Sequence, residues 1–133
     1  MGKTVLLIDD NAIQAATRQE ILRRVGYFVL CALNPMRALE QLRENQFQDA
    51  PALIITDHLM PGMNGAAFVR ELRTLHPLMP VLVISGLDGA EEQYEGLNVI
   101  FRMKPLLPEN LIALVGQLLQ PYPASENTRR LSV

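Results

Sequence analysis

The sequence predicts an α/β domain, a parallel five-stranded sheet wound on both faces by helices, and three observations predict it. Short runs of β-branched and aliphatic residues recur along the 133 residues, each about the length of a strand buried on both faces. Segments with apolar residues at helical spacing separate them, the pattern of parallel strands joined by right-handed helical crossovers. Four of the runs end in Asp-Asp, Asp, Ser and Lys. A parallel sheet gathers such strand-end groups at one edge.

Residues 4–9 read as the first strand. Residues 12–25 place Ile13, Ala16, Ile21, Leu22 and Val25 at helical spacing, and Gly26 is a natural stop. Residues 27–32 form the second strand, in which Cys31 reads as a buried, inert thiol; a single cysteine makes no internal disulfide. Asn34 before Pro35 predicts an N-cap followed by proline at the first helical position. That helix carries Ala38, Leu39 and Leu42 on one face to about residue 46. Residues 52–57 are the third strand, and 65–75 the third helix, with Phe68, Val69, Leu72 and Leu75 inward. Residues 81–85 are the fourth strand, 88–95 a short polar fourth helix, and 98–103 the fifth strand. Residues 108–119 close the pattern as a fifth helix, with Leu111, Ile112, Leu114, Val115, Leu118 and Leu119. Residues 1–119 thus make one domain, and 120–133 read as a flexible tail rich in proline and polar residues.

Composition narrows the function classes. Hydrophobic residues are 49% and charged residues 20% of the chain, a globular balance. A chain of this size buries a core without disulfides or a structural metal. A net charge of −2 lacks the basic surplus of a nucleic-acid-binding domain. No apolar run has the length of a membrane span, and no His/Cys cluster suggests zinc. The run from Met1-Gly2-Lys3-Thr4 straight into an acid-terminated strand is not that of a signal peptide. The expected location is the cytoplasm.

The strand ends carry the chemistry. Asp9-Asp10 follow Val5-Leu6-Leu7-Ile8; Asp57 follows Leu53-Ile54-Ile55-Thr56 and precedes a loop rich in Pro and Gly; Ser85 ends Val81-Leu82-Val83-Ile84; Lys104-Pro105 end the fifth run. In doubly wound sheets ligands bind outside the carboxyl ends of the strands. Three carboxylates in one pocket need a cation or a raised pKa. Mg2+ suits them, taking oxygen ligands from one or two carboxylates, phosphate and water. Lys104 offers a compact positive charge for a phosphoryl oxygen, and the Ser85 hydroxyl can donate to another. A carboxylate can serve as a covalent nucleophile, and Asp57 is placed to do so. Plainer readings stand beside these: Asp9-Asp10 as a solvated pair capping the first helix, Asp57 as an Asx-turn residue, Ser85 as a strand-end hydroxyl, Phe101 as a core aromatic. His58 reads as a solvent-facing neighbour of Asp57 rather than a general base, and His76 as a surface loop residue.

Taken together, Asp9-Asp10, Asp57 followed by Leu59-Met60-Pro61-Gly62-Met63-Asn64-Gly65, Ser85-Gly86, and Phe101 three residues before Lys104-Pro105 make the chain resemble the receiver domain of bacterial two-component response regulators. The resemblance runs from residue 3 to about 119. It implies a flavodoxin-like sheet of strand order 2-1-3-4-5, for which a member of this family is a standing example. It implies that Asp57 accepts a phosphoryl group from a histidine kinase or phosphotransfer protein. Asp10, Asp57 and the Leu59 carbonyl would ligate Mg2+ directly, and Asp9 mainly through water. Ser85 and Lys104 would bind the phosphoryl group, Phe101 would be an aromatic switch, and the Lys104–Pro105 bond would be cis. The partners implied are that kinase or phosphotransfer protein and a downstream protein target, with no direct nucleic acid or membrane contact, for a monomer or weak dimer.

The chain departs from the family pattern in the stretch from Ser85 to Lys104, a few residues short, with the loss in the fourth helix. Gly96-Leu97 stands where a small pair is usual. The Ser85-Gly86 form with a short fourth helix resembles receivers attached to hybrid sensor kinases and some stand-alone regulators. Leu59 and Leu87 are apolar where polar side chains can orient water, which predicts slow self-dephosphorylation. Two other classes are weighed: an aspartate-nucleophile phosphatase, which needs a second acid where Leu59 stands, and an FMN binder, whose phosphate the Asp9-Asp10 loop would repel.

Overall fold

The computed structural model describes residues 3–120 of the chain. Strands β1 (Thr4–Ile8), β2 (Phe28–Ala32), β3 (Leu53–Asp57), β4 (Val81–Ser85) and β5 (Ile100–Met103) alternate with helices α1 (Ala12–Arg23), α2 (Pro35–Arg43), α3 (Gly65–Leu75) and α4 (Pro108–Leu119). The strands form one parallel sheet in the order β2-β1-β3-β4-β5, the order the resemblance implied.

Alternation along the strands divides the core in two. Leu6, Ile8, Ile54, Val81 and Val83 pack with Ala38 and Leu39 of α2 and Phe68, Val69 and Leu72 of α3. Val5, Leu7, Leu53, Ile55, Leu82 and Ile84 pack with Ala15 and Leu22 of α1 and Leu111 and Val115 of α4. β1, β3 and β4 are buried along their whole length because both faces are covered. Full burial of a side chain such as Leu or Ile contributes about 1.5–3 kcal/mol, so these three strands anchor the edge that carries the polar groups.

Side-chain oxygens start three of the helices. Asn11 Oδ1 accepts from Gln14 N at 3.0 Å for α1. Asn34 Oδ1 accepts from Met36 N and Arg37 N at 2.9 and 3.1 Å for α2, with Pro35 following as expected. Asn64 Oδ1 accepts from Ala67 N at 2.8 Å for α3.

Several expectations are corrected. The stretch 88–95 is not an α-helix but a 3-10 helix, Ala90–Tyr94. Gly89 and Gly96, at φ 84° and 80°, bracket it in left-handed backbone and leave no room for a longer helix. The described residues therefore hold four α-helices rather than five. β5 begins at Ile100 rather than 98, because Asn98 is left-handed at φ 57°. Likewise α2 ends at Arg43, with Asn45 at φ 53°. The buried stripe of α1 is Ala15, Arg18 and Leu22; Ile13 is 81% exposed, and Ala16 and Val25 also face solvent. Cys31 is exposed, because β2 is an edge strand with only Val29 and Ala32 buried. Its thiol nonetheless reaches Ala15 O at 3.9 Å, and desolvation with some help from Asp9 pushes its pKa up. The tail expected over 120–133 lies, apart from Gln120, outside the described residues.

Candidate functional site

The carboxyl ends of β1, β3, β4 and β5 meet at one edge. The register brings them level: Ile8 pairs with Thr56, Asp57 with Ile84 and Ser85 with Met103. Asp57 and Ser85 occupy the last positions of β3 and β4, and Asp9 and Lys104 follow the last positions of β1 and β5, so the sheet converts four separate sequence positions into one pocket. Asp9, Asp10 and Asp57 each offer a carboxylate oxygen, and these oxygens lie within 4.8 Å of one another. Asp9 and Asp57 are buried and Asp10 is exposed. The cap of α1 is Asn11, so the acid pair is not merely a solvated cap, although Asp9 Oδ1 accepts from Asn11 N at 2.9 Å in the turn.

Lys104 Nζ lies 3.0 Å from Asp57 Oδ1. Among the described residues this ion pair is the only close polar contact of Oδ1, which is otherwise buried. Burial raises the Asp57 pKa to about 6; Lys104 opposes the rise and Asp9 adds to it. Desolvation is the main cause of the rise, and the neighbouring Asp9 carboxylate a lesser one. The donor set, three carboxylates with oxygens within 4.8 Å of one another, fits a hard divalent cation.

Ser85 is buried, and its Oγ accepts from Leu87 N at 2.9 Å, which leaves the hydroxyl hydrogen free to donate. Lys104 N donates to Ser85 O at 2.8 Å, tying the ends of β4 and β5. The Lys104–Pro105 bond is cis, as the resemblance implied. Leu59, in the loop after β3, is 60% exposed, and Leu87 is 40% exposed. Phe101 is buried in β5, its ring 5.6 Å from that of Tyr94. It borders a cleft of about 360 Å³ between the 3-10 helix and β5, lined also by Glu91, Glu92 and Glu95 and separate from the acidic pocket.

The comparisons with known proteins agree with this geometry. Residues 5–115 match the family model described as the response regulator receiver domain. The chain belongs to that family. It is 33% identical over 118 residues to the transcriptional regulatory protein ZraR of Escherichia coli (strain K12), a match covering 86% of this chain and 26% of that protein. The chain thus spans about a quarter of that relative's length. A response regulator receiver protein from Sinorhizobium medicae has a TM-score of 0.77 at 30% identity, over 89% of this chain and 94% of that one. Response regulator protein TrrA from Thermotoga maritima, solved in complex with Mg(2+)-BeF, has a TM-score of 0.77 at 22% identity, over 88% of this chain and 99% of that one. The latter likeness shows the fold alone.

This receiver domain also holds residues that sequence reasoning missed. Arg18 Nη1 donates to Asp9 Oδ2 at 3.2 Å and lies 3.9 Å from Asp57 Oδ1. Gln14 Nε2 donates to Asp9 Oδ2 at 2.6 Å and to Asp57 Oδ2 at 3.0 Å. A polar residue on a helix is read as outward by default. The available signal was spacing: Ala15, Arg18 and Leu22 fall on one stripe, and Gln14 and Arg18 are four apart. His58 is likewise not solvent-facing. It is buried, its Nδ1 2.7 Å from Tyr94 Oη, and burial lowers its pKa. Its partner lies 36 residues away, so no local pattern could show it.

Proposed function

We propose that this receiver domain accepts a phosphoryl group on Asp57, in a Mg2+-dependent step, from the phosphohistidine of a histidine kinase or phosphotransfer protein. Phosphorylation then switches a surface read by a downstream protein. The observation that carries this reading is the buried Asp57 carboxylate set between Lys104 Nζ, 3.0 Å from its Oδ1, and the oxygens of Asp9 and Asp10. In-line transfer forms an O–P bond at Asp57 as the N–P bond of the phosphohistidine breaks, the electron pair leaving with the imidazole nitrogen. Lys104 neutralises a phosphoryl oxygen, and the Ser85 hydroxyl donates to another. Asp10, Asp57 and the Leu59 carbonyl would hold the ion directly and Asp9 mainly through water. Bound there, Mg2+ withdraws negative charge from the phosphoryl oxygens. As Ser85 is drawn toward the phosphoryl group, Phe101 shifts with it, and the edge from Ala90 to Met103 is the surface that changes.

On this reading the domain catalyses only its own phosphorylation and slow dephosphorylation. A phosphatase would need an acid where Leu59 stands exposed, and the Asp9-Asp10 turn would repel the phosphate of FMN. The domain occupies residues 1–119, with 120–133 as a tail. It works in the cytoplasm as a monomer or weak dimer, without itself contacting nucleic acid or membrane. Among the described residues no helix is long and apolar enough to cross a membrane. Because relatives such as ZraR are far longer, the chain acts either as a stand-alone regulator or as the receiver section of a hybrid kinase or longer regulator.

Incubation with Mg2+ and acetyl phosphate, read by intact mass, tests this. One added phosphoryl group is expected, absent without divalent cation and absent in Asp57→Asn. Labelling that persists in Asp57→Asn would sink the reading. Decay of the same mass peak after donor removal should be slow in the wild type and about tenfold faster when Leu59 and Leu87 are replaced by Asn, which can orient water. Equal decay would remove the role given to the two leucines.

A further inference from the structure

We infer that Arg18 and Gln14 form an internal counter-ion clamp that competes with the divalent cation for the acidic pocket, so that the cation enters only as the Arg18 guanidinium leaves Asp9. The inference rests on the metal site proposed above and concerns what sets its affinity.

Arg18 lies on the buried stripe of α1 between Ala15 and Leu22, with its side chain only 11% exposed. A guanidinium in such a place must be paired, and its partners are the pocket's carboxylates. The oxygens are accounted for one by one. Asp9 Oδ1 accepts from Asn11 N, and Asp9 Oδ2 accepts from both Gln14 Nε2 and Arg18 Nη1. A carboxylate oxygen has about two lone-pair sites, so Oδ2 is saturated. Asp57 Oδ2 accepts from Gln14 Nε2. Gln14 therefore bridges the two buried acids, and Arg18 supplies the charge that lets them sit together. Lys104 lies 3.0 Å from Asp57 Oδ1, with Arg18 farther from that oxygen at 3.9 Å, and Arg18 is the cation bound to Asp9, so Arg18 is the one set against the acid pair.

A dication among oxygens within 4.8 Å of one another would stand against a guanidinium held 3.2 Å from one of them. The two positive charges repel, and both draw on the Asp9 carboxylate. The guanidinium has somewhere to go. A cleft of about 400 Å³ between α1 and the loop from β5 to α4 is lined by Gln14, Thr17, Arg18, Ile21, Lys104 and Leu106. Rotation of the side chain into that cleft frees Asp9 without moving the helix.

A purely structural ion pair makes the opposite prediction: losing Arg18 would loosen Asp9 and weaken cation binding. Mg2+ titration calorimetry on the full chain separates the two. Arg18→Leu should bind Mg2+ about tenfold more tightly, the scale on which one nearby charge shifts a charged site. Gln14→Leu, which removes no charge, should tighten it by less. In EDTA the Arg18→Leu melting temperature should fall below that of the wild type, and Mg2+ should raise it by more than it raises the wild type's. Equal or weaker Mg2+ binding by Arg18→Leu overturns the clamp. Absence of binding in the wild type and both variants overturns the metal site together with the clamp. Should Arg18→Leu not fold without cation, the wild type itself decides: the Arg18 Nε–H NMR signal, assigned with Arg18→Lys, should shift along the Mg2+ titration with the backbone amides of Asp10 and Asp57. An Arg18 signal that stays still while those amides move overturns the inference.

Discussion

Asp57 concentrates opposing influences in one side chain. Burial raises its pKa to about 6, Lys104 pulls it down, and Asp9 pushes it up again. In the unfolded chain an Asp titrates near 3.9, so the folded, metal-free protein holds this proton to higher pH. The cost of the buried charge is then absent below about pH 4, grows between about 4 and 6, and is fully present above 6. His58 works in the other direction, because its lowered pKa costs stability as pH falls below its usual value. The difference between wild type and Asp57→Asn cancels the His58 contribution. In EDTA at pH 7, Asp57→Asn should be more stable by about 1–2 kcal/mol, and its advantage should vanish near pH 4. Urea unfolding at the two pH values checks this; a variant less stable at pH 7 contradicts the account. The gathering of polar groups at the strand ends was legible because a carboxylate or lysine closing an apolar run has few structural reasons to be there. Arg18 and Gln14 were not, because helical spacing gives the direction of a side chain only once the buried stripe is known, and Ile13 and Ala16 suggested the wrong one.

At the scale of elements, the acidic edge depends on how β3 leaves the sheet. Gly65 N donates to His58 O at 2.8 Å, closing the loop back onto α3. A Cβ at Gly65 would fall on Tyr94 Oη and lie 2.6 Å from Asp57 O and 3.0 Å from His58 Cα. Two of these three atoms are backbone and cannot yield cheaply. Gly65→Ala should therefore cost about 2 kcal/mol or more in urea unfolding and cut phosphorylation at Asp57; a neutral substitution would show that the loop is softer than its packing implies. The β1, β3 and β4 segments were plain in the sequence because both faces are apolar. β2 was recognised as a strand and the implied order put it at the edge, but its apolar run was taken to mean burial on both faces, which is why Cys31 was misplaced. The shortened stretch before β5 was visible as a missing length. That it would tighten into a 3-10 helix, held by Tyr94 on His58 and Phe101, depends on contacts between distant segments.

For the molecule as a whole, a parallel sheet assembles one chemical site from four segments spread over almost a hundred residues, from Asp9 to Lys104. Fold and site are thus one event: strand order and register bring the acids together, and the acids need a cation from within or without. On the proposed function Arg18 fills that role in part, and Lys104 and Ser85 would meet the oxygens of an incoming phosphoryl group. The central claim is that the phosphoryl group ends on the Asp57 carboxylate. Reductive trapping tests it most directly. An acyl phosphate is cleaved by borohydride to a primary alcohol, so the phosphorylated chain treated with tritiated borohydride, digested and sequenced should carry label as homoserine at position 57 and nowhere else. Label at Asp9 or Asp10, or a phosphoryl group that resists borohydride and is recovered on Ser85 or His58, would contradict the account.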